Sequence, residues 1–135
     1  MRLVVDSNIL FAALIKNSAT RKILMHSRTE FLTIDFSTQE IMKYKDEILK
    51  KTNLSVGEFE LLLSKIKEKL ITIEEEIILT KFEEAYIIMK EIDVKDAPFI
   101  AAALATKADV WSDDPHFQRQ RKVKVWKTKD LIELI

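Results

Sequence analysis

Short apolar runs alternate with longer amphipathic stretches along the chain. Residues 2–5 are uninterrupted and rich in valine, which predicts a strand buried on both faces of a parallel sheet. Four further runs also have the length and apolar character of strands: residues 30–34, 71–73, 109–112 and 123–126. The pattern therefore predicts about five short strands separated by helical segments.

The stretches between these runs repeat apolar residues every three or four positions, as helices with one buried face do. This spacing predicts helices over residues 8–15, 18–26, 55–70, 80–92, 99–106 and 128–134. Ser37-Thr38-Gln39-Glu40 matches a capping box, which predicts that a long helix starts there. Asp96 before Pro98, and Asp114 before Pro115, fit the N-caps of two more helices.

Strands that alternate with helices need crossover connections, which are right-handed and place helices on both faces of the sheet. We therefore expect an α/β protein with three α/β/α layers and a mainly parallel sheet of about five strands. A length of 135 residues and a hydrophobic fraction of 47% suit one domain over residues 1–135.

Composition limits the functional classes. The formal net charge is zero, so no overall field favours nucleic acid or membranes. The chain has no cysteine, which excludes disulfides, thiolate metal sites and cysteine nucleophiles. Its apolar runs are much shorter than the roughly 20 residues that span a bilayer, and its start does not match a secretory signal. We expect a soluble, cytoplasmic protein that does not interact with membranes.

Four acidic residues occupy positions that a parallel sheet brings to one edge. Asp6 ends the first strand, Glu40 lies in the first turn of a helix, and Asp96 and Asp114 precede helices. Ligands bind beyond the carboxyl ends of such strands. Because clustered carboxylates repel one another, and because oxygen donors suit hard ions, these acids predict a Mg²⁺ or Mn²⁺ site for phosphodiester hydrolysis. Taken singly, however, Glu40, Asp96 and Asp114 fit helix caps equally well.

Four segments resemble the motifs of the PIN-domain ribonucleases, in order and in spacing. They are Val4-Val5-Asp6-Ser7-Asn8, Ser37-Thr38-Gln39-Glu40-Ile41, Lys95-Asp96-Ala97-Pro98-Phe99-Ile100-Ala101 and Val110-Trp111-Ser112-Asp113-Asp114-Pro115-His116-Phe117. The resemblance covers residue 2 to about residue 126 and is closest to compact toxins of the VapC type. It implies a metal-dependent endoribonuclease that uses Mg²⁺ or Mn²⁺, forms a homodimer and pairs with an antitoxin. The acids in the positions of the family's metal ligands are Asp6, Glu40, Asp96 and Asp114.

The resemblance also assigns supporting positions around these acids. Asn8, Ser112, Asp113 and His116 are expected to contact these acids and hold them in position. Many members carry another acid two residues after the last aspartate, whereas this chain has His116 there and Asp113 on the other side. His116 fits a residue that orients water or phosphate, and it equally fits ordinary polar surface.

The segment after His116 is locally basic. Arg119, Arg121 and Lys122 are candidates for contacting RNA phosphates, although a solvated surface explains the same charges. The apolar positions Leu61 to Leu63, Ile66 and Tyr86 to Met89 suit a dimer interface or an antitoxin groove, and packing against the sheet suits them equally.

Three other functions fit the same residues. One is a catalytically weak PIN fold that binds RNA or regulates, because a fold does not determine turnover. Another is a nuclease that processes DNA or RNA without an antitoxin. The third is a phosphatase or receiver domain, which also places aspartates at strand ends; Glu40 and the segment 111–117 favour the PIN interpretation.

Overall fold

The computed structural model describes residues 1–134, and its centre is a five-stranded sheet. The strands are β1 (Arg2–Val5), β2 (Glu30–Thr33), β3 (Leu70–Thr72), β4 (Asp109–Trp111) and β5 (Val125–Trp126). All neighbouring strands pair in parallel, in the order β3-β2-β1-β4-β5. The predicted sheet is confirmed, and each predicted strand lies within two residues of its expected bounds.

Helices connect the strands. Those in residues 1–134 are α1 (Ser7–Ile15), α2 (Ala19–His26), α3 (Asp35–Lys43), α4 (Lys45–Lys51), α5 (Val56–Glu68), α6 (Glu75–Leu79), α7 (Phe82–Met89), α8 (Ala97–Thr106), α9 (Pro115–Gln118) and α10 (Thr128–Glu133). A 3-10 turn, Val94–Asp96, leads into α8. Among these described helices, none is long and apolar enough to cross a membrane.

The hydrophobic core has two parts, one on each face of the sheet. Val4 of β1 packs with buried residues of α6, α7 and α8 on one face. Its neighbours Leu3 and Val5 pack with α1, α2, α5 and α10 on the other face. All three side chains are fully buried, which explains why β1 is apolar without alternation. The expected three-layer α/β/α arrangement is therefore confirmed.

The centre of the sheet is a topological switch point, because the connections from β1 and from β4 run to opposite sides. The Asp6 N–H donates to the Trp111 carbonyl over 3.0 Å, so the chain stays paired one residue past the end of β1. The Ser112 N–H donates in the same way to the Trp126 carbonyl over 3.0 Å. Asp6 and Ser112 therefore stand side by side where α/β sheets bind ligands.

The capping box predicted at Ser37 is wrong. Helix α3 begins at Asp35, two residues before Ser37, and the buried Ser37 hydroxyl shares a hydrogen bond of 2.8 Å with the Ser7 hydroxyl. A buried hydroxyl needs a partner, and Ser7 supplies it from another part of the chain. The reciprocal capping box lies instead at Ser55 and Glu58, before α5.

Two predicted helices differ in extent from the structure. The long helix expected after Ser37 is divided at Tyr44, whose backbone leaves helical geometry and whose ring packs on Phe11 with centroids 6.1 Å apart. There tertiary packing prevails over the local helical spacing. The helix predicted over residues 80–92 is present as α7 but is shorter at both ends, and a separate helix that was not predicted, α6, precedes it.

Candidate active site

All four predicted acids line one cavity at the carboxyl ends of β1 and β4. The cavity has a volume of about 230 Å³, and Asp6, Glu40, Asp96 and Asp114 are joined in its wall by Asp93. The predicted convergence of the acids therefore occurs in this fold. Larger cavities lie elsewhere on the described surface, but each of them is lined by at most two acids.

Asp6 is the most buried of these acids, with 3% of its surface exposed. Burial raises the pKa of its carboxyl above the usual value, while the Ser112 hydrogen bond lowers that pKa and the charge of Asp114 raises it. The Ser112 hydroxyl donates to Asp6 Oδ2 over 2.8 Å. The same hydroxyl oxygen accepts the Asp114 N–H over 3.0 Å, so Ser112 contacts two of the acids at once.

Asp96 has a strongly raised carboxyl pKa. Burial, followed by the nearby charges of Asp93, Asp6 and Asp114, raises the pKa of its carboxyl to about 7, although His116 lowers it. Asp96 stands at the N-cap of α8, but its side chain makes no capping hydrogen bond. Its Oδ2 is buried without any hydrogen-bond partner among the described residues. A divalent cation would satisfy this oxygen and offset the repulsion, so the residues fit a metal.

Asp114 serves partly as the helix cap that its sequence suggested. Its Oδ1 accepts the His116 N–H over 2.9 Å at the start of α9, and the residue also lines the cavity. Capping and metal binding are compatible, because a carboxylate has two oxygens and several lone pairs.

Glu40 reaches the cavity from α3. Since the capping box does not form, no part of the helix end uses its carboxylate, and the side chain makes no hydrogen bond within residues 1–134. The Ser7–Ser37 bond fastens α3 to the residue after Asp6, one helical turn before Glu40. The bond therefore sets how α3 approaches the end of β1.

Sequence reasoning missed Asp93. Its Oδ1 accepts the Lys95 N–H over 3.0 Å and caps the 3-10 turn, while its Oδ2 lies 3.2 Å from His116 Nδ1. The signal that points to it is its position three residues before Asp96, which puts both acids on one side of a helical turn. His116 Nδ1 also lies 3.4 Å from Asp114 Oδ1 and 3.8 Å from Asp96 Oδ2.

Asp113 does not support the acids as expected. One of its carboxylate oxygens accepts the Thr128 N–H over 2.7 Å and the other accepts the Thr128 hydroxyl over 2.6 Å. Trp111 Nε1 donates to the same Thr128 hydroxyl oxygen over 3.1 Å. Asp113 therefore holds the start of α10, because Thr128 offers two donors at once. Asn8, by contrast, does line the acidic cavity.

The predicted basic residues lie outside the cavity wall. Arg119 ends α9, and Arg121 and Lys122 follow it on the exposed surface. The cavity wall also includes the exposed cation Lys95 and the ring of Phe36, which is 46% exposed, and neither was assigned a role from the sequence. Little in the sequence indicates a role for either residue, because Lys95 only adjoins Asp96 and Phe36 only follows β2 by three residues.

The structure combines a three-layer α/β/α fold with a cluster of acids at the central switch point of its parallel sheet. A comparison with known protein families agrees with this fold and site. The model of the PIN domain family matches residues 4–134, and the chain belongs to the PIN domain family. The fold is also similar to the crystal structure of VapBC2 from Rickettsia felis bound to a DNA fragment from their promoter. That similarity has a TM-score of 0.71 at 15% sequence identity and covers 94% of this chain and 98% of that one. No curated protein sequence matches.

Proposed function

We propose that this protein is a metal-dependent endoribonuclease that hydrolyses RNA phosphodiester bonds and serves as the toxin of a toxin–antitoxin pair. One observation carries the proposal: Asp96 Oδ2 is buried without a partner in a cavity that three elements supply with further carboxylates. An acidic pocket of this kind is stable with ionised side chains only when a cation joins it. PIN domains are generally metal-dependent nucleases, which supports the same conclusion.

Asp6 and Asp96 are the residues that would hold Mg²⁺ or Mn²⁺, with Glu40 and Asp114 completing the set of oxygen donors. When bound, such an ion activates water and stabilises charge on a phosphoryl group. Ser112 keeps Asp6 oriented toward the cavity through its hydroxyl. The Glu40 carboxylate lines the cavity and makes no hydrogen bond within the described residues, so its oxygens would be available to the ion.

The cavity wall offers contacts for a single RNA strand. Lys95 would pair with a phosphate beside the acids, and the exposed ring of Phe36 would stack on a neighbouring base. Arg119, Arg121 and Lys122 would extend the phosphate contacts along the surface beyond α9. Unpaired RNA suits this arrangement, because a base must leave its stack to reach an aromatic ring.

The likeness to VapBC2 supports a protein antitoxin as the partner. A neighbouring groove of about 290 Å³ is lined by Phe36, Leu79 and Phe82, and it adjoins the acidic cavity because Phe36 belongs to both. An antitoxin segment in this groove would block access to the acids. Tyr86 and Ile87 of α7 are 46% and 60% exposed, and they would contribute to a homodimer interface.

The deciding experiment is cleavage of mixed RNA and of single-stranded DNA by the purified protein with Mg²⁺, with Mn²⁺ or with a chelator. We expect cleavage of RNA only when an ion is present. Asp6→Asn and Asp96→Asn should lower the rate by at least about a hundredfold, while the matched control Asp46→Asn, an exposed acid of α4, should leave it unchanged.

Folded wild-type protein that binds RNA but never cleaves it would overturn the enzymatic proposal in favour of a regulatory RNA-binding module. Cleavage of DNA in preference to RNA would overturn the substrate assignment. Asp96→Asn protein with full activity would overturn the assignment of the site.

A further inference from the structure

We propose that His116 is itself a metal ligand, and that with Asp93 and Asp96 it forms a mixed nitrogen and oxygen position selective for a first-row transition ion such as Mn²⁺ over Mg²⁺. The inference rests on the proposed metal-dependent function and names the ion class that the site prefers. It concerns two residues of the acidic cluster that were not assigned as metal ligands from the sequence, Asp93 and His116.

The spacing of the donor atoms suits an ion among them. One donor atom from each of Asp93, Asp96 and His116 can be chosen so that all three lie within 4.8 Å of one another. An ion with bonds of about 2.1 Å separates adjacent ligand atoms by about 3.0 Å and opposite ones by about 4.2 Å. The separations from His116 Nδ1 are 3.2 Å to Asp93 Oδ2 and 3.8 Å to Asp96 Oδ2, which lie between those two values.

The hydrogen bonding of these atoms points to a ligand independently of their spacing. Among the described residues, two buried side-chain atoms lack any hydrogen-bond partner, and they are His116 Nδ1 and Asp96 Oδ2. Both face the same small space, although Asp93 Oδ2 is close enough to His116 Nδ1 for a bond of poor geometry. Buried polar atoms without partners are costly and rare. A single cation between them would satisfy both atoms.

Local structure presents each donor. The His116 N–H is held by Asp114 Oδ1 in the first turn of α9, and Asp93 Oδ1 is held by the Lys95 N–H. His116 is thus held through its backbone N–H and Asp93 through its Oδ1. The remaining atoms, His116 Nδ1 and Asp93 Oδ2, face each other at 3.2 Å. The His116 side chain is 43% exposed although its Nδ1 is buried, so the opposite edge of the ring meets solvent and can keep its proton on Nε2.

The donor set determines the choice of ion. Mg²⁺ strongly prefers oxygen ligands in octahedral geometry, whereas imidazole nitrogen is a good ligand for first-row transition ions. A histidine in place of the acid that many relatives carry should therefore weaken Mg²⁺ binding more than Mn²⁺ binding. The competing interpretation is a protonated His116 that neutralises the acids directly, and it allows no bond between nitrogen and metal.

Pulsed electron paramagnetic resonance of the Mn²⁺-loaded protein tests the bond directly, because nitrogen coordinated to Mn²⁺ modulates the spin echo. The chain has two histidines, and the other, His26, lines a cavity at the amino ends of the strands with Met1 and Thr29. We expect a histidine nitrogen signal, identified by ¹⁵N-histidine labelling, in the wild type and in the control His26→Asn. The signal should disappear in His116→Asn.

A second measurement compares the Kd for Mg²⁺ with the Kd for Mn²⁺ by calorimetry. His116→Asp restores an all-oxygen set, and we expect it to reduce the preference for Mn²⁺ by about tenfold. Mn²⁺ that binds the wild type without histidine nitrogen modulation, or an unchanged Kd ratio in His116→Asp, would overturn this inference and leave the proposed function standing. Failure of the folded wild type to bind either ion would overturn the proposed function itself.

Discussion

The Ser112 hydroxyl donates to Asp6 Oδ2 over 2.8 Å and joins the ends of the two central strands. The two residues are far apart in the chain, yet they are adjacent at the switch point because β1 and β4 pair in parallel. The Asp114 N–H donates to the same hydroxyl oxygen, so the Ser112 side chain lies between Asp6 and Asp114 and is hydrogen-bonded to both.

Ser112→Ala should therefore damage both the fold and the site. The substitution leaves the Asp114 N–H without its acceptor and Asp6 Oδ2 without its donor, and we expect a loss of about 1–3 kcal/mol in the free energy of unfolding. Metal affinity should fall by about 10- to 100-fold, because supporting hydrogen bonds orient metal ligands. Urea unfolding and Mn²⁺ titration measure the two effects. Ser64→Ala, on the exposed surface of α5, is the control and should change neither.

Metal binding should depend on pH through Asp96, whose pKa is raised to about 7 mainly by burial. Because a proton and a cation compete for this carboxylate, the Kd for Mn²⁺ should rise about tenfold for each pH unit below that pKa and level off above it. Calorimetric titrations from about pH 5 to about pH 8.5 would locate the break. A break near pH 4, the ordinary range of an aspartate, would contradict a pKa raised by burial and by the neighbouring acids.

Asp96→Asn should make the metal-free protein relatively more stable at high pH. The folded protein holds the Asp96 proton more tightly than the unfolded chain, since the pKa rises from 3.8 to about 7 on folding. Stability of the wild type is therefore lost as pH rises through this window, whereas asparagine has no such dependence. Between about pH 5 and about pH 8 the variant should gain about 1–3 kcal/mol relative to the wild type.

Urea unfolding with a chelator present measures that difference in stability. Asp46→Asn serves as the control, because Asp46 is exposed on α4 and does not line the acidic cavity. If the difference between Asp96→Asn and wild type were the same at both pH values, Asp96 would not titrate near neutrality.

Substitutions of Phe36 and Lys95 should affect two different kinds of contact with RNA, base stacking and phosphate pairing. Phe36→Leu removes the stacking surface, and we expect it to weaken binding of a short single strand by about 1–3 kcal/mol. Lys95→Gln should instead lower the salt dependence of binding by about one phosphate contact. Fluorescence anisotropy at several salt concentrations, with Asp96→Asn protein to prevent cleavage, distinguishes the two. Equal salt slopes for Lys95→Gln and its parent would exclude a phosphate contact at Lys95.

Local patterns alone predicted most of the architecture. The uninterrupted apolar character of β1 indicated burial on both faces, and Leu3, Val4 and Val5 are indeed fully buried. Alternation of strands with helices indicated a parallel sheet with two helical layers, because crossover connections allow few other arrangements. The same rule predicted that Asp6, Glu40, Asp96 and Asp114 would gather at one edge, and all four line one cavity.

The sequence could not predict which acids are used as caps. Glu40 matched a capping box, but the Ser37 hydroxyl bonds to Ser7 from 30 residues away. Asp96 occupies a cap position without capping, whereas Asp114 does cap its helix. Each outcome depends on the partners that other segments bring to these side chains.

The sequence by itself thus determined the order of the elements, the sheet and the edge where the acids meet, since hydrophobic period is a local property and alternating strands and helices allow few sheet topologies. Only the tertiary structure decided what each polar side chain contacts. It directed Asp113 to Thr128, brought Asp93 within 3.2 Å of His116, and left Asp96 Oδ2 without a partner. The physical reason is that a hydrogen bond requires distance and direction between residues far apart in the chain, and these arise only when the helices pack on the sheet.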